Sequence, residues 1–124
     1  MAVVSAVVCV AAALGVAVSP GVGHAYVGDV IRYQVFSSVS DNWVMKYYDG
    51  NNRMKVFRHA HLPLRTTDGN YWGDATVVSD TSVQLKSVEF WSYGSFAACR
   101  VYVNGVMKAE RRVNGRGASV TCWA

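Results

Sequence analysis

From Val30 onward, apolar side chains recur at nearly every second position, a period that fits half-buried strands and not helices. Ile31, Tyr33 and Val35 alternate with Arg32 and Gln34. Trp43, Met45 and Tyr47 alternate with Val44, Lys46 and Tyr48, and Met54 and Val56 alternate with Arg53, Lys55 and Arg58. Residues 71–78, 82–91, 99–103, 106–112 and 118–122 continue the pattern. Between the runs lie segments with turn chemistry: Asp49-Gly50-Asn51-Asn52, Asp68-Gly69, Asn104-Gly105 and Asn114-Gly115-Arg116-Gly117. Gly and Asn accept the positive φ that tight reversals require, and Asn-Gly in particular predicts a type I′ hairpin turn. Residues 58–70 are the least regular stretch and contain Pro63, so they are expected to cross from one sheet to another. In 82–91, Val83 and Leu85 share one parity while Val88 and Phe90 share the other, which predicts a bulge. The fold class is therefore all-β: an immunoglobulin-like antiparallel β-sandwich of seven to eight short strands.

The N-terminus has a different character. No Asp, Glu, Lys or Arg precedes Asp29, and residues 1–18 are almost wholly apolar. Ser19, Pro20, Gly21 and Gly23 interrupt that run, and Gly23-His24-Ala25 supplies the small residues a signal peptidase reads. Two readings stand for residues 1–25, a cleaved signal peptide or a retained membrane anchor; the apolar run falls just short of the roughly 20 residues of a spanning helix. Both make residues 26–124 a single exported domain, secreted or held at the outer face of the membrane.

A domain of this size buries roughly two-thirds of the surface its unfolded chain exposes, so a crosslink would add materially to its stability. Of three cysteines, Cys9 lies in the export segment, leaving Cys99 and Cys122 as the pair of the exported domain. In an oxidising compartment they are expected to form a disulfide. Their spacing is unlike that of Cys-x-x-Cys redox motifs, so the bond reads as structural.

The charge pattern narrows the function. Twelve basic and eight acidic residues give a net charge of +4, scattered apart from Arg111, Arg112 and Arg116. A nucleic-acid footprint would be stronger and clustered. The best metal lead is His59-Ala60-His61, whose side chains would share a side in a strand, with Asp68 or Asp74 as a further ligand. Two histidines without a clear third ligand read as a solvated loop. No nucleophile elbow or phosphate loop is present and paired carboxylates are scarce, so neither catalysis nor a cofactor is expected. Large aromatic rings, by contrast, exceed what a small core needs. Tyr48, Trp72, Tyr93 and Tyr102 fall outside the core parity or in loops, and with Arg100 they form the candidate recognition surface.

Several of these segments together resemble a known family. Cys99-Arg100-Val101-Tyr102-Val103-Asn104-Gly105-Val106-Met107-Lys108, closed by Cys122, is similar to the C-terminal pattern of the MmpS family, small membrane-associated accessory proteins of actinobacterial envelopes. Val30-Ile31-Arg32-Tyr33-Gln34-Val35 resembles the family's first strand and Met45-Lys46-Tyr47-Tyr48-Asp49 its second. Leu62-Pro63-Leu64 is similar to its Leu-Pro-Trp turn, with Leu64 in the aromatic position. The N-terminus also departs from the family in lacking a basic flank. The resemblance implies a non-catalytic β-sandwich that assists an MmpL-type transporter of the resistance–nodulation–division class in exporting lipids or siderophores. The implied partners are a membrane transporter or envelope lipid. The alternative is a free secreted binding module with no transporter.

Overall fold

The computed structural model describes residues 26–124; the signal peptide or anchor expected over residues 1–25, with Cys9, lies outside the described residues. Nine strands follow in order: β1 (Val30–Ser37), β2 (Val44–Tyr48), β3 (Met54–Arg58), β4 (Leu64–Arg65), β5 (Tyr71–Val78), β6 (Ser87–Trp91), β7 (Phe96–Val103), β8 (Val106–Asn114) and β9 (Ser119–Trp123). They form two sheets, one ordered β4-β5-β1-β7-β8 and the other β3-β2-β6-β9, with every pairing antiparallel.

The alternation in the sequence sets the inner faces. Ile31, Tyr33 and Val35 of β1, Cys99 and Val101 of β7, Val88 and Phe90 of β6, and Cys122 of β9 are fully buried between the sheets. The Cys99–Cys122 disulfide joins β7 of one sheet to β9 of the other, with Cα atoms 6.0 Å apart. Asn104-Gly105 closes the β7–β8 hairpin with φ of 51° and 81°, the left-handed pair a type I′ turn needs. Residues 58–70 do cross between the sheets, burying Ala60 and Leu62 on the way.

Four details depart from the sequence reading. The strand count is nine, not seven to eight, because the two-residue β4 forms within the irregular crossover and pairs with Tyr71 and Trp72. Val83 and Leu85 are exposed and precede β6; their parity slip marks the end of a loop, not a bulge. The irregularity in the ladder lies instead between Val101 and Tyr102, opposite β8. In β3, Met54 and Val56 pair with Tyr48 and Lys46 on the outer face, while Phe57 pairs with core-facing Met45. As an edge strand, β3 is exposed throughout, so its period says little about which side is covered.

Candidate functional site

The outer face of the five-stranded sheet carries an ordered array of side chains that the core does not require. β1 presents Arg32, Gln34 and Phe36 there, and its pairing with β5 and β7 arranges the neighbours in rows. One row runs Trp72, Phe36, Ala98, Arg112; the next Asp74, Gln34, Arg100, Glu110; the third Thr76, Arg32, Tyr102, Met107. Directly opposed residues in adjacent strands share a face, so these side chains are neighbours by construction.

Arginines lie over the rings in each part of the array. The Arg32 guanidinium is 5.8 Å from the Trp72 ring centroid and 6.0 Å from that of Tyr102, bridging two rings on different strands. Arg100 sits 4.9 Å from the Phe36 ring, and Phe36 stacks on Trp72 at 6.2 Å. Arg112 lies 3.9 Å from Phe96, which is why that outward-facing ring is nearly buried. Each contact gains from the attraction between a cation and the ring face. Asp74 pairs with Arg32 at 2.8 Å and Glu110 with Arg100 at 2.7 Å. The Glu110 carboxylate, through its hydrogen bond, raises the Arg100 pKa further above its ordinary value. Three arginines against two carboxylates leave the face mildly cationic.

At its centre lies Gln34, only 6% exposed, whose Oε1 accepts no hydrogen bond from the described residues. An unsatisfied buried acceptor costs about 1–3 kcal/mol, so its retention here calls for a reason. Beside it, a shallow groove of about 620 Å³ runs between the β4–β5 turn (Thr66, Thr67, Asp68 and Asn70) and Arg112 of β8, floored by Phe36 and Ala98. Thr66 hydrogen-bonds Asp68, which holds that carboxyl below its ordinary pKa and fixes the turn at the groove's edge.

Of the candidate recognition residues, the structure brings together Trp72, Arg100 and Tyr102 on this face. Tyr48 lies on the outer face of the other sheet, and Tyr93 lies in the β6–β7 connection. Sequence reasoning missed Phe36, Gln34 and Arg32 as members of the group. Their outward parity on β1 was visible, but which strands flank β1 was not.

The paired histidines divide. His61 Nδ1 lies 2.8 Å from Asp41 Oδ1, while Asp74 is engaged by Arg32 and Asp68 by Thr66. Neither aspartate named as a third ligand is therefore on offer to the pair. Among the described residues no group of three His, Cys, Asp or Glu is placed to hold a metal ion. The histidines sit instead at the lip of a second groove, about 360 Å³, between the sheets where β3 diverges from β5; Met45, Tyr47, Phe57, Leu62 and Ala75 line it.

The family described as Mycobacterium membrane protein matches residues 22–124, all of the described domain. The chain belongs to this family. Its resemblance to MmpS proteins is consistent with that membership, which carries a general role as a membrane-associated accessory protein. Comparison with curated proteins finds no match. No helix among the described residues is long and apolar enough to cross a membrane.

Proposed function

We propose that this protein is a non-catalytic envelope accessory that assists an MmpL-type transporter of the resistance–nodulation–division class in exporting a lipid or siderophore. In this reading the outer face of the five-stranded sheet meets the partner. The observation that carries it is the arginine–aromatic array on β5, β1, β7 and β8, with the buried, unpartnered Gln34 Oε1 at its centre. Arginine and aromatic residues are the types enriched where protein interfaces concentrate their binding energy. Rings already covered by arginines lose less freedom on docking than mobile exposed ones. A buried acyl groove or catalytic centre is not needed for such a role, since the transporter supplies the energy coupling.

The test is affinity purification of the full-length chain from the membranes of an actinobacterial host, comparing the wild type with Arg100→Glu and Trp72→Ala. Co-purification of a transporter with the wild type, lost in both folded variants, is expected. Equal recovery with all three would contradict the role of this face. Recovery of the wild-type domain only from the medium, starting near Tyr26, would favour the second reading, a free secreted binding module, which the small residues Gly23-His24-Ala25 support.

A further inference from the structure

The two ends of the sandwich differ in kind. At one end β1 begins, β5 and β7 finish, and the β2–β3 turn closes against the β5–β6 loop: Gly28 N donates to Ser79 O, Asn104 N to Val30 O and Asp80 N to Gly50 O. Large apolar side chains project from this end into solvent: Tyr26 is 80% exposed, Val27 66%, Val78 57%, Val83 62% and Val106 56%, with Leu85 also exposed. They come from three separate segments, the lead-in to β1, the β5–β6 connection and the β7–β8 hairpin, so chance placement of one loop does not account for them. Singly exposed valines are ordinary, but a group gathered at one end points to a surface that meets something apolar. The opposite end exposes the aromatic rings of Trp43 and Tyr93 among polar and basic turns, with Ser38, Asp41, Arg116 and His61.

Of the carboxylates at this end, Asp29 and Asp49 are occupied within the fold, while Asp80 stands exposed. Asp29 accepts from the Tyr26 amide and from Asn104, and Asp49 accepts from the Asn51 and Arg53 amides. These amide bonds hold the Asp49 pKa below its ordinary value. Between these turns the apolar side chains stand outward beside the exposed Asn51, Arg53, Asp80 and Ser82. This is also the end that receives the chain from the uncharged, apolar residues 1–25.

We infer that this end is a membrane-contacting pole, whose Tyr26, Val27, Val83, Leu85 and Val106 side chains enter the interfacial layer of a lipid bilayer. The apolar N-terminal sequence leads directly to it, and exposed apolar side chains flanked by a few charged ones, here Arg53 and Asp80, suit the boundary between headgroups and acyl chains. Attraction is apolar, not ionic, so the contact is insensitive to salt. With the pole on the membrane, the strands stand up from the bilayer. The arginine–aromatic face then points sideways, toward a neighbour in the same membrane. The inference itself requires no transporter.

The test uses the full-length chain carrying Cys9→Ser, reconstituted with phosphatidylcholine vesicles, and a single environment-sensitive fluorophore at Val83→Cys or, separately, at Arg116→Cys. The Val83 label is expected to shift to the blue and to be quenched by spin-labelled lipid both at low salt and at 0.5 M salt, where the Debye length has fallen to about 4 Å. The Arg116 label should remain hydrated. Equal hydration of both labels, failure of the chain to associate with vesicles, or salt-sensitive quenching of the Arg116 label alone would each overturn the inference. Because no transporter is present, the result stands apart from the purification experiment.

Discussion

The buried Tyr33 hydroxyl, on β1 of one sheet, donates a 2.8 Å hydrogen bond to the backbone carbonyl of Tyr48 at the end of β2 in the other. The ring packs beside Tyr47 at 5.3 Å, so one residue joins the sheets through both its apolar body and its polar tip. Burial pushes the Tyr33 pKa well above the ordinary tyrosine value.

Tyr33→Phe should therefore cost about 1 kcal/mol, the net worth of a typical hydrogen bond, without a change in fold. The pH dependence has a definite sign. A raised folded-state pKa means that the folded protein keeps its phenolic proton when the unfolded chain loses it. The stability conferred by neutral Tyr33 is complete below the ordinary value of 10.0 and is lost as pH rises through and beyond it. Urea titrations between pH 8 and 11 should show wild-type stability falling at the alkaline end and Tyr33→Phe falling less.

The disulfide is the larger staple. Cys99→Ser or Cys122→Ser should reduce stability by about 2–5 kcal/mol, because each releases a crosslink between the sheets of a small core. Thermal melts of the oxidised wild type and the variants measure this directly, and melting temperatures within a degree of each other would refute it.

Gly50 is required by close approach. A Cβ there would lie 1.9 Å from the Val78 carbonyl oxygen, where the β2–β3 turn meets the end of β5. Gly50→Ala should cost about 1–3 kcal/mol, as overpacking generally does. Gly105→Ala meets no neighbouring atom and would act only through its φ of 81°. Comparing the two separates steric from backbone effects.

Much of the fold was legible from the chain. The inward positions on β1, the Asn104-Gly105 hairpin, the crossover after Arg58 and the crosslinked cysteines follow from period, turn chemistry and compartment. Where reading failed, a local pattern lacked the information. Met54 and Val56 alternate correctly, yet an edge strand has no neighbour to declare which face is covered. Val83 and Leu85 look strand-like in sequence, but they lie in a loop held by Asn52 side-chain bonds to Val83 O and Leu85 N, which only the tertiary fold creates. The candidate face was half legible for the same reason. Trp72, Arg100 and Tyr102 were singled out as outward residues. That Arg32 lies between Trp72 and Tyr102, however, depends on β1 pairing with both β5 and β7.

Gln34 offers a way to separate stability from recognition. Gln34→Met keeps the length of the side chain and removes the unsatisfied buried Oε1, so stability should hold or rise by up to about 1–3 kcal/mol. Partner recovery should fall. A variant that is less stable and binds equally well would show that Gln34 serves the fold and not the interface.

If the arginine–aromatic face meets a membrane partner, site-specific photo-crosslinking in cells should capture that partner there. A photoreactive amino acid would be placed at Tyr102 or, on the outer face of the other sheet, at Thr121, in otherwise full-length protein. A discrete high-mass adduct containing a transporter is expected from position 102 and none from position 121. Adducts from Thr121 alone, or equally from both positions, would contradict it.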